Sequence, residues 1–558
     1  MSSTFRARVR SALANEALQE ALDRNADRRK AAWEAAFDSL PGAQESRREA
    51  RRIRAESLDR LDDLLAEFRR NLEANGFQVH VAADADQACG QVVAIARAHG
   101  ARLAAKSKSM VSEEIGLNAA LQRAGIRAVE TDLGEFIVQL RDEPPAHIIT
   151  PAIHLRRQDV GRTLSEKLGV PFTTDVSEMT AAARAALRKV FLEADIGISG
   201  VNFGVAETGT LCLITNEGNG RFVTTVPPVH IALMGMERLV PTLSDLARML
   251  EVLPRAATGQ NISSYVTLLH SPRRRGDAEG PLERHILLID NGRLRLRQSA
   301  IAEALVCVRC GACLNACPVY REAGGHAYGS VYPGPIGSVV SPGLFGLAAF
   351  GHLASASTLC GACREACPVD IDLPGLLLRV RNAHHEASPR AGIWKSSAMR
   401  VFTWVMTSPG RYRLAQRLAA MSMRLLPRTS GWIRWLPPPL ATWTRRRAFP
   451  AFASVPFRSR WPSLVVPSVR RAAETTQEAP PQSRIPSLSK DAASMALGKS
   501  PLERFEASLT SVGGELVRTN SESLVDDLLA VLDRSKVGSI LAAREIEADM
   551  TRWLDALR

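Results

Sequence analysis

Hydrophobic and polar positions are arranged in blocks along the chain. Residues 1–75 mix Arg and Glu with Ala and Leu around a single proline, which predicts solvent-exposed helices. From 76 to 297, short apolar runs alternate with helical stretches, which predicts an α/β domain with a largely parallel sheet. The runs that we interpret as strands are 77–82, 101–105, 126–129, 147–150, 196–199, 211–215 and 285–289.

The second half of the chain changes character three times. Residues 298–385 are rich in cysteine and form two related halves, which predicts an α-helical, ferredoxin-like domain. Between these halves, the uncharged stretch 327–358 is interrupted by many Gly and Pro residues, which predicts an irregular loop. A basic, Trp-rich extension follows at 386–466, predicted to be helical and irregular, and 467–500 has the composition of a linker.

The last segment, 501–558, repeats a spacing found near the start of the α/β domain. In both segments, apolar residues four positions apart precede a glycine, and a strand-like run follows the glycine. The two sets are Phe505, Leu509, Gly513, Val517 and Phe68, Leu72, Gly76, Val79. We hypothesise that 501–558 is the opening unit of a second, truncated α/β domain.

Composition narrows the class of protein. The 558 residues are 46% hydrophobic and 23% charged, which excludes a wholly disordered chain. The formal net charge of +13 is local, because 387–473 contains fifteen Arg and one Lys and no acidic residue. Neither a signal-peptide core nor an apolar run long enough to span a bilayer is present, which predicts a cytoplasmic protein.

Seven of the nine cysteines lie between 307 and 367, at the spacing of bacterial ferredoxins. Cys307, Cys310, Cys313 and Cys317 precede Pro318 with intervals of two, two and three residues. The second half repeats this pattern as Ser357, Cys360, Cys363 and Cys367 before Pro368, so Ser357 stands in the place of the first cysteine. Zinc sites do not need this repeated pattern, and iron–sulfur clusters are the better interpretation. Cys89 and Cys212 lie at no ligand spacing and are predicted to be buried, inert thiols.

In two-cluster ferredoxins the fourth cysteine of each half binds the cluster of the other half. Cluster 1, a [4Fe–4S] cluster, is therefore predicted to use Cys307, Cys310, Cys313 and Cys367. Cluster 2 is predicted to use Cys317, Cys360 and Cys363 and is one thiolate short. Ser357 or water completes a [4Fe–4S] cubane there, or the corner iron is absent and a [3Fe–4S] cluster results; the sequence leaves both open.

A series of polar motifs in the α/β region precedes the cysteine repeat. They are Lys106-Ser107-Lys108-Ser109, Glu113-Glu114, Glu130-Thr131-Asp132-Leu133-Gly134-Glu135, Pro151-Ala152-Ile153-His154, Asn202-Phe203, Ala206-Glu207-Thr208-Gly209 and Asn216-Glu217-Gly218-Asn219. In this order, the combination resembles the lactate utilisation protein B family, the iron–sulfur subunit of the bacterial L-lactate oxidation system. The resemblance covers about residues 40 to 475 and includes the missing cysteine.

The resemblance implies a lactate-utilisation domain, similar in fold to sugar-phosphate isomerases and coenzyme A transferases. It also implies a complex of several subunits that oxidises L-lactate to pyruvate. The chain lacks a strand-borne Gly-x-Gly-x-x-Gly motif, so nicotinamide binding is not supported and an NAD-independent oxidoreductase subunit is expected. Whether this chain itself performs the dehydrogenation stays open at this point.

Five side chains are candidates for contact with a small acid. Lys106 and Lys108 follow a predicted strand at the carboxyl end of the sheet, where open α/β sheets bind ligands. Two cations there suit a carboxylate. The remaining candidates, near other turns, are Glu207, Asn219 and Arg221. The alternative is that these are solvated loop charges, with Glu113, Glu114 and Glu135 on exposed helix faces; His154 and His230 are interpreted as core histidines.

The basic segment 387–473 predicts contact with an anionic partner. Docking of other subunits of the complex ranks first, peripheral contact with the inner face of the membrane second, and nucleic acid last. Two rival functions remain. One is electron transfer for glycolate or another 2-hydroxy acid, and the other is a non-enzymatic redox-sensing binding protein.

Overall fold

The computed structural model describes residues 4–387, 393–422, 431–436, 441–444 and 447–451, with isolated positions at 453, 455, 457, 460 and 461. These residues fall into two compact units that divide between Phe402 and Thr403. The proposed linker 467–500 and the proposed second-domain fragment 501–558 lie outside the described residues.

Four helices open the chain, in the region where the sequence predicts helices. They are α1 (Phe5–Leu13), α2 (Glu16–Asp38), α3 (Ala43–Asp59) and α4 (Leu61–Ala74). In α4 the buried positions are Leu61, Leu64, Phe68 and Leu72, which lie three or four residues apart on one face. This face packs against the α/β domain, and the apolar residues of α2 and α3 share a core with the cysteine-rich region.

Ten strands follow in the α/β region. They are β1 (Gln78–Ala82), β2 (Leu103–Lys106), β3 (Arg127–Glu130), β4 (Ile196–Gly200), β5 (Phe203–Val205), β6 (Thr210–Thr215), β7 (Val229–Gly235), β8 (Leu239–Val240), β9 (Tyr265–Leu269) and β10 (Glu283–Ile289). Six of them form a sheet in the order β1-β10-β7-β4-β2-β3, and every neighbouring pair is parallel.

Helices alternate with the strands of this region. They are α5 (Ala85–Ala98), α6 (Met110–Glu114), α7 (Leu117–Arg123), α8 (Leu133–Leu140), α9 (Arg157–Leu168), α10 (Val176–Glu193), α11 (Asn219–Thr225), α12 (Leu243–Thr258) and α13 (Arg293–Arg297). Ala104 and Ala105 are adjacent in β2 and therefore point to opposite faces. Ala104 packs with α5 and α7, and Ala105 packs with α8 and α10. The α/β fold that the sequence predicts is confirmed.

A second sheet of four strands has the order β8-β5-β6-β9. The run 211–215 is a strand, but it lies here, antiparallel to β5 and β9, and not in the parallel sheet. The turn between β5 and β6 contains Gly209, whose φ of 62° is in the left-handed region and whose Cα lies against the backbone of Asn71. This tight hairpin, which glycine permits, pairs β6 with its chain neighbour.

The predicted strand at 147–150 is wrong, because these residues form a loop. His147 Nδ1 accepts the backbone N–H groups of Ile149 and Thr150 at 3.0 and 3.2 Å. Lys108 Nζ donates a hydrogen bond to the carbonyl of Ile148. Side chains therefore satisfy backbone groups that a sheet would otherwise pair, and the apolar run is buried without a strand.

Short helices make up the cysteine-rich region. They are α14 (Ala312–Asn315), α15 (Pro318–Ala323), α16 (Gly334–Phe345), α17 (Leu347–Phe350), α18 (Ala362–Glu365) and α19 (Leu373–Ala387), with 3₁₀ turns at Ala302–Val306, His326–Tyr328 and Gly351–Ser355. The predicted irregular loop at 327–358 is therefore wrong. Pro335 lies in the first turn of α16, where its missing N–H costs nothing, and a side chain at Gly337 would collide with the carbonyl of Tyr332. The Gly and Pro residues here therefore allow a buried helix to pack closely against its neighbours.

The basic extension contains α20 (Ile393–Met406), α21 (Pro409–Ser422), β11 (Trp432–Ile433), α22 (Ala441–Thr444) and β12 (Phe449–Pro450). In the second unit, β11 pairs with β12 in the antiparallel sense. Trp404, Trp432, Trp435 and Trp461 are exposed, and Arg411 stacks over Trp404 at 4.4 Å from the ring centre. Among the helices that the structure describes, none combines the length and the hydropathy needed to cross a bilayer.

Candidate iron–sulfur centre and adjoining cavity

The first cysteine loop curls around its own sulfurs. Arg309 and Gly311 have φ values of 59° and 75°, in the left-handed region. This conformation turns successive N–H groups towards one side of the loop, an arrangement that suits anionic groups. The N–H of Arg309 donates to Cys307 Sγ at 3.3 Å. The loop thereby directs both thiols and hydrogen-bond donors to one place.

The second loop repeats this conformation fifty residues later. Leu359 and Gly361 are left-handed, with φ values of 57° and 90°. The N–H of Leu359 donates to Ser357 Oγ at 3.1 Å, in the same way that Arg309 donates to Cys307. Ser357 therefore occupies the position of the first cysteine in the backbone as well as in the sequence alignment of the two halves.

The last cysteine of each half accepts a backbone N–H from a residue that follows it. The Sγ of Cys317 accepts the N–H of Tyr320, and the Sγ of Cys367 accepts the N–H of Ile371, both at 3.5 Å. Each thiol then interacts with the opposite half. Cys367 interacts electrostatically with the thiols of the first loop, and Cys317 interacts with those of the second loop. The structure thus brings the predicted ligands into two groups, Cys307, Cys310, Cys313, Cys367 and Cys317, Cys360, Cys363.

These thiols fit iron–sulfur clusters in their chemistry. All seven are free, and five of them are buried. Burial raises the pKa of Cys367 to about 12 and that of Cys363 to about 11. Such thiols become thiolates when a metal displaces the proton. Two all-sulfur groups that accept backbone N–H bonds are a donor set suited to such clusters, whereas the outlying Cys89 and Cys212 are buried at separate places.

Arginines from outside the cysteine-rich region hold the loops by their carbonyls. Arg47 donates to the carbonyls of Glu365 and Cys367, each at 2.7 Å. Arg238 donates to the carbonyls of Cys307 and Val308 at 2.9 and 3.3 Å. Neither arginine is among the residues that the sequence singled out.

The spacing of arginines along α3 is a sequence signal for these contacts. Arg47, Arg51 and Arg54 are spaced by four and three residues, so they share one face of the helix. Arg51 donates to the carbonyl of Asp370 at 2.6 Å, and Arg54 donates to that of Leu305 at 3.1 Å. Because guanidinium groups on one face need carbonyl or carboxylate partners when buried, this spacing indicates a docking face.

A cavity of about 320 Å³ lies between the α/β domain and the first cysteine loop. One wall is formed by residues that follow the carboxyl ends of β2 and β4, among them Lys108 and Asn202. Another wall is formed by Val308 and Arg309, which separate Cys307 from Cys310. Open α/β sheets bind ligands at the carboxyl ends of their strands. The cavity therefore joins the usual ligand position of this fold to the loop between two cysteines.

The structure brings only two of the five candidate residues to this cavity, Lys108 and Asn219. Lys106 is buried beneath it, where Nζ lies 2.9 Å from Glu113 and 2.7 Å from Glu130. Glu207 is exposed, and its carboxylate accepts the N–H of Leu243 at the start of α12.

Arg221 is also exposed. It stacks over Tyr265 at 4.9 Å and donates to Thr267 at 3.4 Å. Glu114 and Glu135 do not lie on exposed helix faces, because Glu114 pairs with Arg293 at 2.7 Å and Glu135 is 3% exposed. His230 is fully buried, in agreement with its interpretation as a core histidine.

Carboxyl groups surround Lys108. Burial raises the pKa of Asp132, and the Lys108 cation offsets only part of this rise. Burial also raises the pKa of Glu135 to about 8, even though Lys108 lies near. Glu217 lies at the cavity wall with access to solvent; desolvation on its inner side and the Asp132 carboxylate raise its pKa to about 7. Glu135 and Glu217 can therefore exchange protons near neutral pH.

The wall of the cavity beside the cysteines is cationic. Arg309 stacks over Tyr332 at 4.5 Å, and Arg238 stacks over Phe203 at 5.0 Å. Arg309 Nη1 is buried without a hydrogen-bond partner among the residues that the structure describes. Because a buried, unpaired guanidinium N–H is costly, this atom favours an anion in the cavity.

Comparison with known proteins explains the pairing of these two sites. Residues 65–289 match the LUD domain family, and residues 303–371 match the 4Fe-4S dicluster domain family. Lactate utilization protein B of Bacillus licheniformis is 42% identical over 448 residues, which cover 80% of this chain and 94% of that protein. The chain belongs to the lactate utilization protein B family.

Other relatives match almost as well. The Bacillus subtilis protein is 40% identical over 461 residues, or 82% of this chain and 96% of that protein. The Escherichia coli "Uncharacterized electron transport protein YkgF" is 40% identical over 419 residues, or 75% and 88% of the two chains. A crystal structure of a DUF162 family protein from Deinococcus radiodurans covers 41% of this chain and 98% of its own, at 14% identity and a TM-score of 0.24.

The family and the dicluster domain together give this chain an iron–sulfur electron-transfer role in lactate utilisation. The chain is a redox subunit of a system that includes other proteins. The resemblance stated from the sequence motifs is confirmed.

Proposed function

We propose that this chain is the iron–sulfur electron-transfer subunit of a complex that oxidises L-lactate to pyruvate without NAD. One observation carries the proposal: the cavity at the carboxyl ends of β2 and β4 has Val308 and Arg309 in its wall. A small acid bound there lies beside the loop that contains Cys307 and Cys310. Electron transfer requires such closeness between donor and cluster, and the fold provides it within one unit.

Two clusters are proposed, with ligands from both halves of the repeat. Cys307, Cys310, Cys313 and Cys367 hold a [4Fe–4S] cluster. Cys317, Cys360 and Cys363 hold a second cluster, completed by Ser357 or water as a [4Fe–4S] cubane or left as a [3Fe–4S] cluster. Such clusters supply one-electron transfer when bound. The electrostatic grouping of the thiols and the matching N–H bonds to Cys307 and Ser357 support this assignment.

The cavity residues have distinct roles towards a 2-hydroxy acid. Arg309 Nη1 and Lys108 bind the substrate carboxylate, because both are cationic and Nη1 lacks another partner among the described residues. The Asn219 amide orients the substrate. Oxidation of L-lactate to pyruvate releases two protons and two electrons. Asp132 and Glu217 would accept the protons because burial raises their pKa values, and the two clusters would each supply a one-electron acceptor.

The second thiol group lies closer to the surface than the first. Cys360 is exposed, whereas Cys310, Cys313 and Cys367 are buried. A cluster held by the buried thiols beside the cavity would accept electrons there, and a cluster held by Cys317, Cys360 and Cys363 would pass them on near the surface, where another subunit of the complex docks. The arginines and exposed tryptophans of 387–473 add a second docking surface, with peripheral membrane contact as the alternative.

The test uses anaerobic extracts of a strain that lacks this chain, complemented with wild type or single variants. L-lactate-dependent dye reduction is measured. Arg309→Met should lower kcat/KM for L-lactate by at least about tenfold, since a charge-assisted hydrogen bond contributes roughly 1.5–3 kcal/mol. Arg221→Met is the matched control, because Arg221 stacks on Tyr265 and does not line the cavity.

Loss of substrate binding has to be distinguished from loss of a cluster. Cluster absorbance and iron content of each purified variant should equal those of wild type, so that a lost cluster is not mistaken for lost substrate binding. Unchanged L-lactate oxidation in the deleted strain refutes the proposed function. Activity that depends on this chain with glycolate or another 2-hydroxy acid, and not with L-lactate, refutes the substrate.

A further inference from the structure

Three polar side chains converge at the end of the parallel sheet opposite the cavity. Glu283 is the first residue of β10, and His285 is two residues later, so both lie on the same face of the strand. His99 is the residue that ends α5, the helix that packs along this face. The proposed lactate function uses none of these residues.

The donor atoms are separated by distances that suit a shared ion better than hydrogen bonds. His99 Nε2 and His285 Nε2 each lie 3.4 Å from Glu283 Oε2. The three ligand atoms all lie within 4.8 Å of one another. A charge-assisted N–H···O bond closes to about 2.7–2.9 Å. Metal–ligand bonds of about 2.0–2.1 Å in a tetrahedron separate neighbouring ligands by roughly 3.3–3.4 Å, which matches the two histidine–glutamate distances.

A second observation points to a ligand. The His285 side chain is only 4% exposed, and its Nε2 is buried without a hydrogen-bond partner among the described residues. This nitrogen faces Glu283 and His99. A neutral imidazole offers the lone pair of such a nitrogen to a metal ion.

Outer contacts orient two of the three side chains. His285 Nδ1 lies 3.1 Å from His80 Nε2 on β1, so this nitrogen has a partner when Nε2 binds an ion. The amide of Gln78, also on β1, donates to Glu283 Oε2 at 2.9 Å. Ligating histidines in metalloproteins characteristically hydrogen-bond through the other ring nitrogen, which fixes the tautomer.

We propose that His99, Glu283 and His285 bind one divalent transition-metal ion of the zinc class, with the fourth position open to water. Two imidazoles and one carboxylate are a common zinc ligand set. The ion joins the end of α5 to β10. His99 and Glu283 are 30% and 40% exposed, which gives the ion a path from solvent.

The test uses the full chain with its clusters assembled, so that the cysteines are occupied. One equivalent of Zn²⁺ is added, excess is removed, and zinc is quantified with the X-ray absorption fine structure of its K-edge. We expect one zinc per chain with nitrogen and oxygen neighbours at about 2.0–2.1 Å. Sulfur neighbours at about 2.3 Å overturn the proposal, since they place zinc on the cysteines.

Variants test the individual ligands. His99→Ala is the first choice because the side chain is partly exposed and its loss leaves the core intact. We expect it to weaken zinc affinity more than His80→Ala, for which loss of an outer contact costs about 10–100-fold. His270→Ala is the control, since that ring contacts Thr210 instead. Wild-type affinity in His99→Ala, or no zinc retained by wild type, overturns the proposal.

Discussion

Lys106 offers a sharp test of structural against catalytic roles. Its ammonium group is 1% exposed and contacts Ser112 Oγ, Glu113 and Glu130 at 2.7 to 2.9 Å. Burial alone lowers the pKa of Lys106, but the two carboxylates outweigh burial and raise it above its usual value. The side chain is thus a buried counter-ion, and we predict that Lys106→Met destabilises the α/β domain without changing substrate contact.

The expected magnitude follows from the partner left behind. Glu130 is 3% exposed, and one of its oxygens already lacks a hydrogen-bond partner among the described residues. Removing one member of a buried ion pair costs about 3–5 kcal/mol. For a domain of this size, 1 kcal/mol corresponds to about 2–4 °C, so we expect the melting temperature at pH 8 to fall by roughly 6–20 °C.

The loss should depend on pH with a definite sign. Burial raises the pKa of Glu130 above its ordinary 4.5, and removing Lys106 raises it further. A group whose pKa is higher in the folded state binds more protons there, so stability falls as pH rises above 4.5. The deficit of Lys106→Met relative to wild type should therefore be smaller at pH 5.5 than at pH 8.

Calorimetry of the anaerobic, cluster-loaded protein at both pH values measures these quantities. Lys189→Met is the matched control, because Lys189 is 76% exposed and lies 3.8 Å from Glu193. We expect the control to change stability by less than about 1 kcal/mol. Lys106→Met/Glu130→Gln should recover part of the loss. A decrease in melting temperature of less than about 2 °C at pH 8, combined with a raised KM for L-lactate, would refute the structural role.

Three further outcomes are expected. Arg47→Ala should release iron roughly tenfold faster than the exposed control Arg48→Ala, because Arg47 donates to the Cys367 carbonyl and Arg48 pairs with Glu45 instead. Equal release rates would contradict this expectation. Ser357→Cys should give about eight irons per chain and the electron paramagnetic resonance of two cubanes, since Ser357 accepts the equivalent N–H bond; less iron than wild type would count against the alignment. L-lactate affinity, measured by calorimetric titration, should fall severalfold as pH rises through about 7, because ionised Glu217 repels the anion. Glu217→Gln should flatten this pH dependence of affinity. An unchanged pH dependence in the variant would show that Glu217 does not contact the substrate.

Local sequence patterns were sufficient for much of the parallel sheet. The predicted strands at 77–82, 101–105, 126–129, 196–199 and 285–289 each match an observed strand within two residues at either end. By contrast, β7 was missed, although it is buried throughout and lies at the centre of the sheet. A fully buried strand lacks the polar alternation that marks a strand with one exposed face.

The same distinction between local and distant contacts decides which parts of the candidate site the sequence can predict. Cysteine spacing is local, and it correctly indicated an iron–sulfur domain. The cavity depends on contacts between distant segments, such as Arg238 with the carbonyl of Val308, 70 residues further along the chain. No periodicity in either segment records that contact. Lys106 was a candidate because it follows a strand, but whether such a residue faces ligand or core depends on Glu113 and Glu130, which only the folded chain brings near.

The N-terminal arginines also have a consequence for how the protein is made. Arg47 contacts the carbonyl of Cys367, 320 residues further along the chain. At a synthesis rate of about 5–20 residues per second, α3 leaves the ribosome roughly 16–64 s before its partner does. Closure of α3 over the cysteine-rich region is therefore a late event in biogenesis. Before that closure the cysteines are more open to iron, and we predict that expression that outpaces iron supply yields more chains closed over metal-free thiols.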